Sequence, residues 1–158
     1  MEIRQYVKIL IESLEKKKRI LQALQEENKK QEEAIKKNSD IAEFDAIVAY
    51  KEKLIEGIQV LDNGFENVYQ RVREELISQK AVYREEIARM QTLISEIMDL
   101  SVSVQATEQR NKQLVENYFS YARGKIKQAK KSVRVASEYY KSMNRLNYGD
   151  SSLLDKKK

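Results

Sequence analysis

"KKNSDIAEF", residues 36–44, is where a long helical pattern stops and a second one begins. Asn38 and Ser39 suit the end of a helix. The Asp40 carboxylate can accept hydrogen bonds from the first free amides of a following helix, and Glu43, three residues on, completes a capping box. Ile41 and Phe44 then restart the apolar pattern. The stretch therefore reads as helix, short turn, helix.

Upstream of this break, Ile3, Val7, Leu10, Leu14, Lys17, Leu21, Leu24, Asn28, Gln31 and Ile35 recur in alternating steps of four and three. This is a coiled-coil-like seam with three polar members, on a helix expected over residues 2–38 and about 55 Å long. Downstream, Ile41, Phe44, Val48, Ile55, Ile58, Leu61, Phe65, Val68, Val72 and Leu76 mark a second helix over 40–78, with Gly57 and Gly64 as tolerated weak points inside it. Phe65, Tyr69, Val72, Leu76 and Tyr83 lie on one heptad frame. Tyr83, Ile87, Met90, Ile94, Ile97, Val104 and Val115 lie on another, displaced by one position. Either a turn or a stutter produces such a shift. A turn near "LISQKAV", residues 76–82, is preferred, because a single helix of about 100 residues would leave its seam facing water.

Composition agrees with an elongated all-α antiparallel bundle of three long helices. Of the 158 residues, 41% are hydrophobic and 35% charged, with no Pro and four Gly, and the mean hydropathy is −0.70. That is too polar for a thick core but suits long helices rich in straight-chain residues. The absence of Cys and His removes thiol nucleophiles, the usual neutral-pH general base and the commonest metal ligands. Adjacent carboxylates such as Glu26 and Glu27, Glu32 and Glu33, or Glu85 and Glu86 point about 100° apart on a helix and do not converge. No glycine-rich phosphate loop or nucleophile elbow occurs. The expectation is a non-enzyme with no catalytic residue, cofactor or metal. No apolar run approaches the roughly 18 to 20 residues that span a bilayer, so membrane insertion is not expected and a cytoplasmic location is.

The third helix is expected over residues 81–145, about 95 Å long, and would overhang its two partners. Its apolar stripe persists through the overhang, and the residues assigned to partner binding are Tyr118, Ala122, Ile126, Val133, Ala136, Tyr139, Tyr140 and Met143. Small residues alternate with large ones, so another helix can approach closely in the helix-in-groove manner. The plainer alternative is a structural coiled coil in which a homodimer covers the same stripe. No acidic residue interrupts Arg123, Lys125, Lys127, Lys130, Lys131 and Arg134, a basic group suited to steering a partner. Nucleic acid is not expected, since only Tyr118, Phe119 and Tyr121 could serve as stacking groups beside it. Gly149 and Asp150 end the pattern, and residues 148–158 read as a flexible basic tail, with Leu153 and Leu154 either mobile or folded over the stripe.

Four stretches carry a resemblance to a known family: "LIESLEKKKRILQAL" (10–24), "FDAIVAYKEKLIEGI" (44–58), "YREEIARMQTLISEIMDL" (83–100) and "QATEQRNKQLVENYF" (105–119), the last with its Asn-centred "NKQL". With the ending "YYKSM...DSSLLDKKK", they resemble the FlgN family of flagellar type III export chaperones in its clostridial branch. The resemblance implies a single helical chaperone domain over residues 1–147 that binds the C-terminal helical region of hook-filament junction proteins and delivers them to the export gate. It further implies client recognition by the last helix and a gate-docking tyrosine among Tyr118, Tyr121, Tyr139 and Tyr140.

Overall fold

The computed structural model describes residues 2–121, 134–139 and 141–143, all of them helical apart from the chain start and the two connections. Three long helices, α1 (Ile3–Lys36), α2 (Ile41–Ser78) and α3 (Arg84–Tyr121), form an all-α bundle. The seam of α1 is buried as its spacing predicts. Val7, Leu10, Leu14, Lys17, Leu21, Leu24, Asn28 and Gln31 all face inward, the three polar members included. Lys17 reaches this position by pairing with Asp62 on α2 at 2.8 Å, which satisfies an ammonium that burial alone would penalise.

The first connection is built by local chemistry. Asn38 adopts φ 53°, the left-handed conformation that asparagine tolerates better than most residues. Its amide donates to Ile35 O at 3.1 Å and the Ser39 amide to Ala34 O at 2.9 Å. This pair of bonds closes a helix C-terminus as a Schellman motif. The side chain of Asp40 then accepts from the Glu43 amide at 2.9 Å and starts α2. At the second connection α2 ends at Ser78 and α3 begins at Arg84, so the frame shift is a turn rather than a stutter. Gly57 and Gly64 lie inside α2.

α1 is the central helix. It packs along both α2 and α3, whereas α2 and α3 make at most marginal contact with one another. An open groove between α2 and α3 follows from that arrangement. It is filled from the far end of the chain. Ala136, Tyr139 and Met143 are buried in the same core cluster as Leu24, Ile55 and Val104, and Val135 packs with Ile41, Phe44, Val48 and Val115.

The expectation of one straight third helix over 81–145 is therefore corrected. The Tyr139 hydroxyl bonds to Glu108, 31 residues earlier in the chain, a separation that one straight helix would stretch to about 46 Å. Residues 134–139 and 141–143 do not overhang the bundle; they lie back upon it. The periodicity was compatible with this outcome, because a four-and-three pattern reports which face is apolar and not whether the axis is straight.

The connection makes a direct prediction. Asn38→Val should lower the unfolding free energy by about 1–2 kcal/mol and Asp40→Ala by about 1 kcal/mol, while Asn38→Gly should cost nothing, all measured by urea denaturation. Equal loss for the valine and glycine variants would show that the left-handed turn is not the cause.

Candidate functional site

The residues that join all the helical elements are polar and lie at buried register positions. On α1, Asn28 and Gln31 continue the seam; on α2, Lys51 falls between Val48 and Ile55; on α3, Glu108 and Asn111 fall between Val104 and Val115. Lys51 is 0% exposed and Glu108 1%. The Lys51 ammonium donates to Gln31 Oε1 at 2.8 Å and Glu108 Oε2 at 3.0 Å, and stands 2.9 Å from Glu108 Oε1. Asn111 Nδ2 donates to the Asn28 carbonyl at 2.9 Å and to Gln31 Oε1 at 3.2 Å. Burial pushes the Lys51 ammonium below the ordinary lysine value, opposed by Glu108 and more distantly by Glu27.

Tyr139, 2% exposed, closes this network from the C-terminal segment. Its hydroxyl donates to Glu108 Oε1 and its ring lies 4.4 Å from Lys51 Nζ, an orientation in which a desolvated ammonium is attracted to the ring face. Tyrosine suits the position because it buries a large ring and still brings one donor to a carboxylate.

The edge of this contact is acidic. A cleft of about 320 Å³ is lined by Glu52, Ile55, Glu56 and Gln59 from α2 and by Glu138, Tyr139, Lys141 and Ser142 from the C-terminal segment. The Glu52 carboxyl is raised above the usual carboxylate range, first by burial and then by the charges of Glu138 and Glu56. Among the described residues Lys141 is the one cation lining that cleft.

Four of the eight residues assigned to partner binding are thus placed. Ala136, Tyr139 and Met143 are buried against the bundle. Tyr118 is half-buried, stacked on Phe44 with ring centroids 6.3 Å apart, and its hydroxyl donates to Ser39 O at 2.8 Å, so it anchors the first connection. Ala122, Ile126, Val133 and Tyr140 lie outside the described residues, as do Arg123, Lys125, Lys127, Lys130 and Lys131 of the basic group and the tail 148–158. Arg134 is exposed. Lys51 and Glu108 were not foreseen. The signal was present, since each completes a four-and-three series of otherwise buried positions, but a charged residue there reads as an interruption.

Among the described residues no cluster of carboxylates, His or Cys could hold a metal, and no helix is long and apolar enough to cross a membrane. In comparison with known proteins, a family model described as FlgN protein matches residues 1–146. No curated protein and no solved structure matches the chain.

Two outcomes test the site. Lys51→Met should destabilise the protein by about 3–5 kcal/mol, because it strands a buried carboxylate, and Lys51→Met with Glu108→Leu should recover most of that loss; additive losses in urea denaturation would deny the coupling. The second concerns pH. A raised Glu52 means that the docked segment favours the protonated carboxyl, so docking strengthens as pH falls through the raised value and weakens above it. Protection of amides 134–143, corrected for intrinsic exchange, should therefore be greater at about pH 5 than at about pH 7.5, and Glu138→Gln should flatten the difference.

Proposed function

The chain belongs to the FlgN family, a family of flagellar export chaperones rather than of enzymes, and from that premise we propose that it holds the C-terminal helical region of hook-filament junction proteins in the cytoplasm and delivers them to the type III export gate. What supports the reading is the extent of the family match, which runs to residue 146 and so includes the segment bearing Ala136, Tyr139 and Met143. These residues repeat on one helix face as small, aromatic and long aliphatic groups, the surface an amphipathic client helix needs to bury its own apolar side.

In this reading the client-binding stripe is the one drawn from the sequence, Tyr118, Ala122, Ile126, Val133, Ala136, Tyr139, Tyr140 and Met143. Arg123, Lys125, Lys127, Lys130, Lys131 and Arg134 beside it attract an acidic client during encounter. No bond is made or broken. The protein masks apolar surface that would otherwise aggregate, and the client orders on binding, which limits net affinity and keeps the complex reversible. A homo-oligomer consuming the same stripe is the second reading, and it must displace the same intrachain contacts of Ala136, Tyr139 and Met143 as a client would.

The whole chain should retain a junction protein's C-terminal helical segment in a pull-down, and a chain ending at Glu116 should not. Circular dichroism of the shortened chain serves as the control that it keeps its helices. Equal retention by both would move the client surface onto α1, α2 or the first part of α3.

A further inference from the structure

The sequence gives the C-terminal stripe to a partner, yet the structure buries three of its residues, Ala136, Tyr139 and Met143, in the chain itself. Both observations hold if the segment has two resting places. α2 and α3 stand apart on either side of α1, and the segment enters the space between them. Val135 packs near Val48 and Val115, Tyr139 lies at Lys51 and Glu108, and Ser142 shares a cleft with Ile55, Glu56 and Gln59. With rising residue number the segment thus advances along α2 and backs down α3, which is how a fourth helix of a bundle would lie.

Several features make this contact separable. The α1–α2 and α1–α3 interfaces do not pass through the segment, so they stay intact when it leaves. The buried charges keep partners as well: without Tyr139, Lys51 is still bonded to Gln31 and to both oxygens of Glu108, and Glu108 loses one donor while becoming accessible to water. Finally, Glu138 is brought against Glu52 and Glu56, with Lys141 the one cation in the cleft among the described residues, so docking sets like charges together at neutral pH.

Building on the chaperone reading above, we propose that the α2–α3 groove stores the client-binding stripe: docked, residues 134–143 are closed to partners with Tyr139 keyed to Glu108, and released, the same face is offered to the client's amphipathic helix. The groove stands in for the client. It covers Ala136, Tyr139 and Met143 while no client is present, which keeps an adhesive face from self-association. The Tyr139 hydroxyl sets the balance between the two states, since it is the donor that Glu108 loses on opening.

The chain contains no cysteine, so a Gln59→Cys, Ser142→Cys double variant places thiols only at two residues lining the shared cleft. A short bis-maleimide joining them holds the segment down. The cross-linked protein should bind the client's C-terminal helical peptide at least ~10-fold more weakly than the same variant with its thiols singly blocked, because the competent fraction is removed. Equal binding by the two forms would overturn storage while leaving the chaperone reading intact. Hydrogen exchange supplies a readout that needs no client: amides 134–143 should exchange faster than those of α1, and Tyr139→Phe should speed them further with α1 unchanged. If these amides are as slow as α1 in both proteins, the segment is a fixed part of the core and the proposal fails. Faster exchange together with no client binding by any form would uphold the mobile segment and overturn the chaperone reading instead.

Discussion

Everything in this bundle is arranged around a lysine that has no access to water. Lys51 points into the space enclosed by α1, α2 and α3, and a lone ammonium there would be intolerable. Glu108 from α3 and Gln31 from α1 must meet it, and they do so within hydrogen-bonding distance. The requirement fixes the relative heights of three helices whose apolar faces alone would permit sliding by a heptad. Moving α3 along by one such repeat would bring residue 101 or 115, a serine or a valine, to the lysine in place of its carboxylate. Polar groups at seam positions commonly specify register in this way.

The same constraint explains why a separate C-terminal segment belongs to the fold. With α1 between them, α2 and α3 cannot close over the Lys51–Glu108 pair on the side away from α1. Tyr139 provides both things the opening lacks, a ring to exclude water and a hydroxyl to bond the carboxylate. Apolar neighbours Ala136 and Met143 fill the space on either side of it. One aromatic side chain thereby ties the end of the chain to the middle of all three helices.

Much of this was legible in the residues. The Asn38–Asp40 connection was readable because its capping chemistry is local, needing only neighbouring amides and carbonyls. The α1 seam was readable because its polar members, Lys17, Asn28 and Gln31, were kept in register instead of being taken as breaks. The second turn followed from a one-position frame shift together with the length of the alternative, a single helix of about 100 residues whose seam would face water. The return of residues 134–143 to the bundle was not readable, since Ala136, Tyr139 and Met143 continue the apolar phase of Tyr118 and periodicity is blind to direction. Lys51 and Glu108 went unrecognised for a related reason. Nothing local distinguishes a buried charged pair from two solvated ones; only the 57 residues of chain that bring them together make the difference.

The central position of α1 also bears on timing. A segment tethered beside its own groove returns to it at an effective concentration of about millimolar, far above that of any diffusing protein in a cell. On the storage proposal, a helix held on the released segment competes against a rebinding event that never dilutes away. On that proposal the segment's departure leaves the α1–α2 and α1–α3 interfaces as they were, so return to the groove competes with the client without unfolding the bundle. On that proposal the length of a client's stay is set by the chain that holds it.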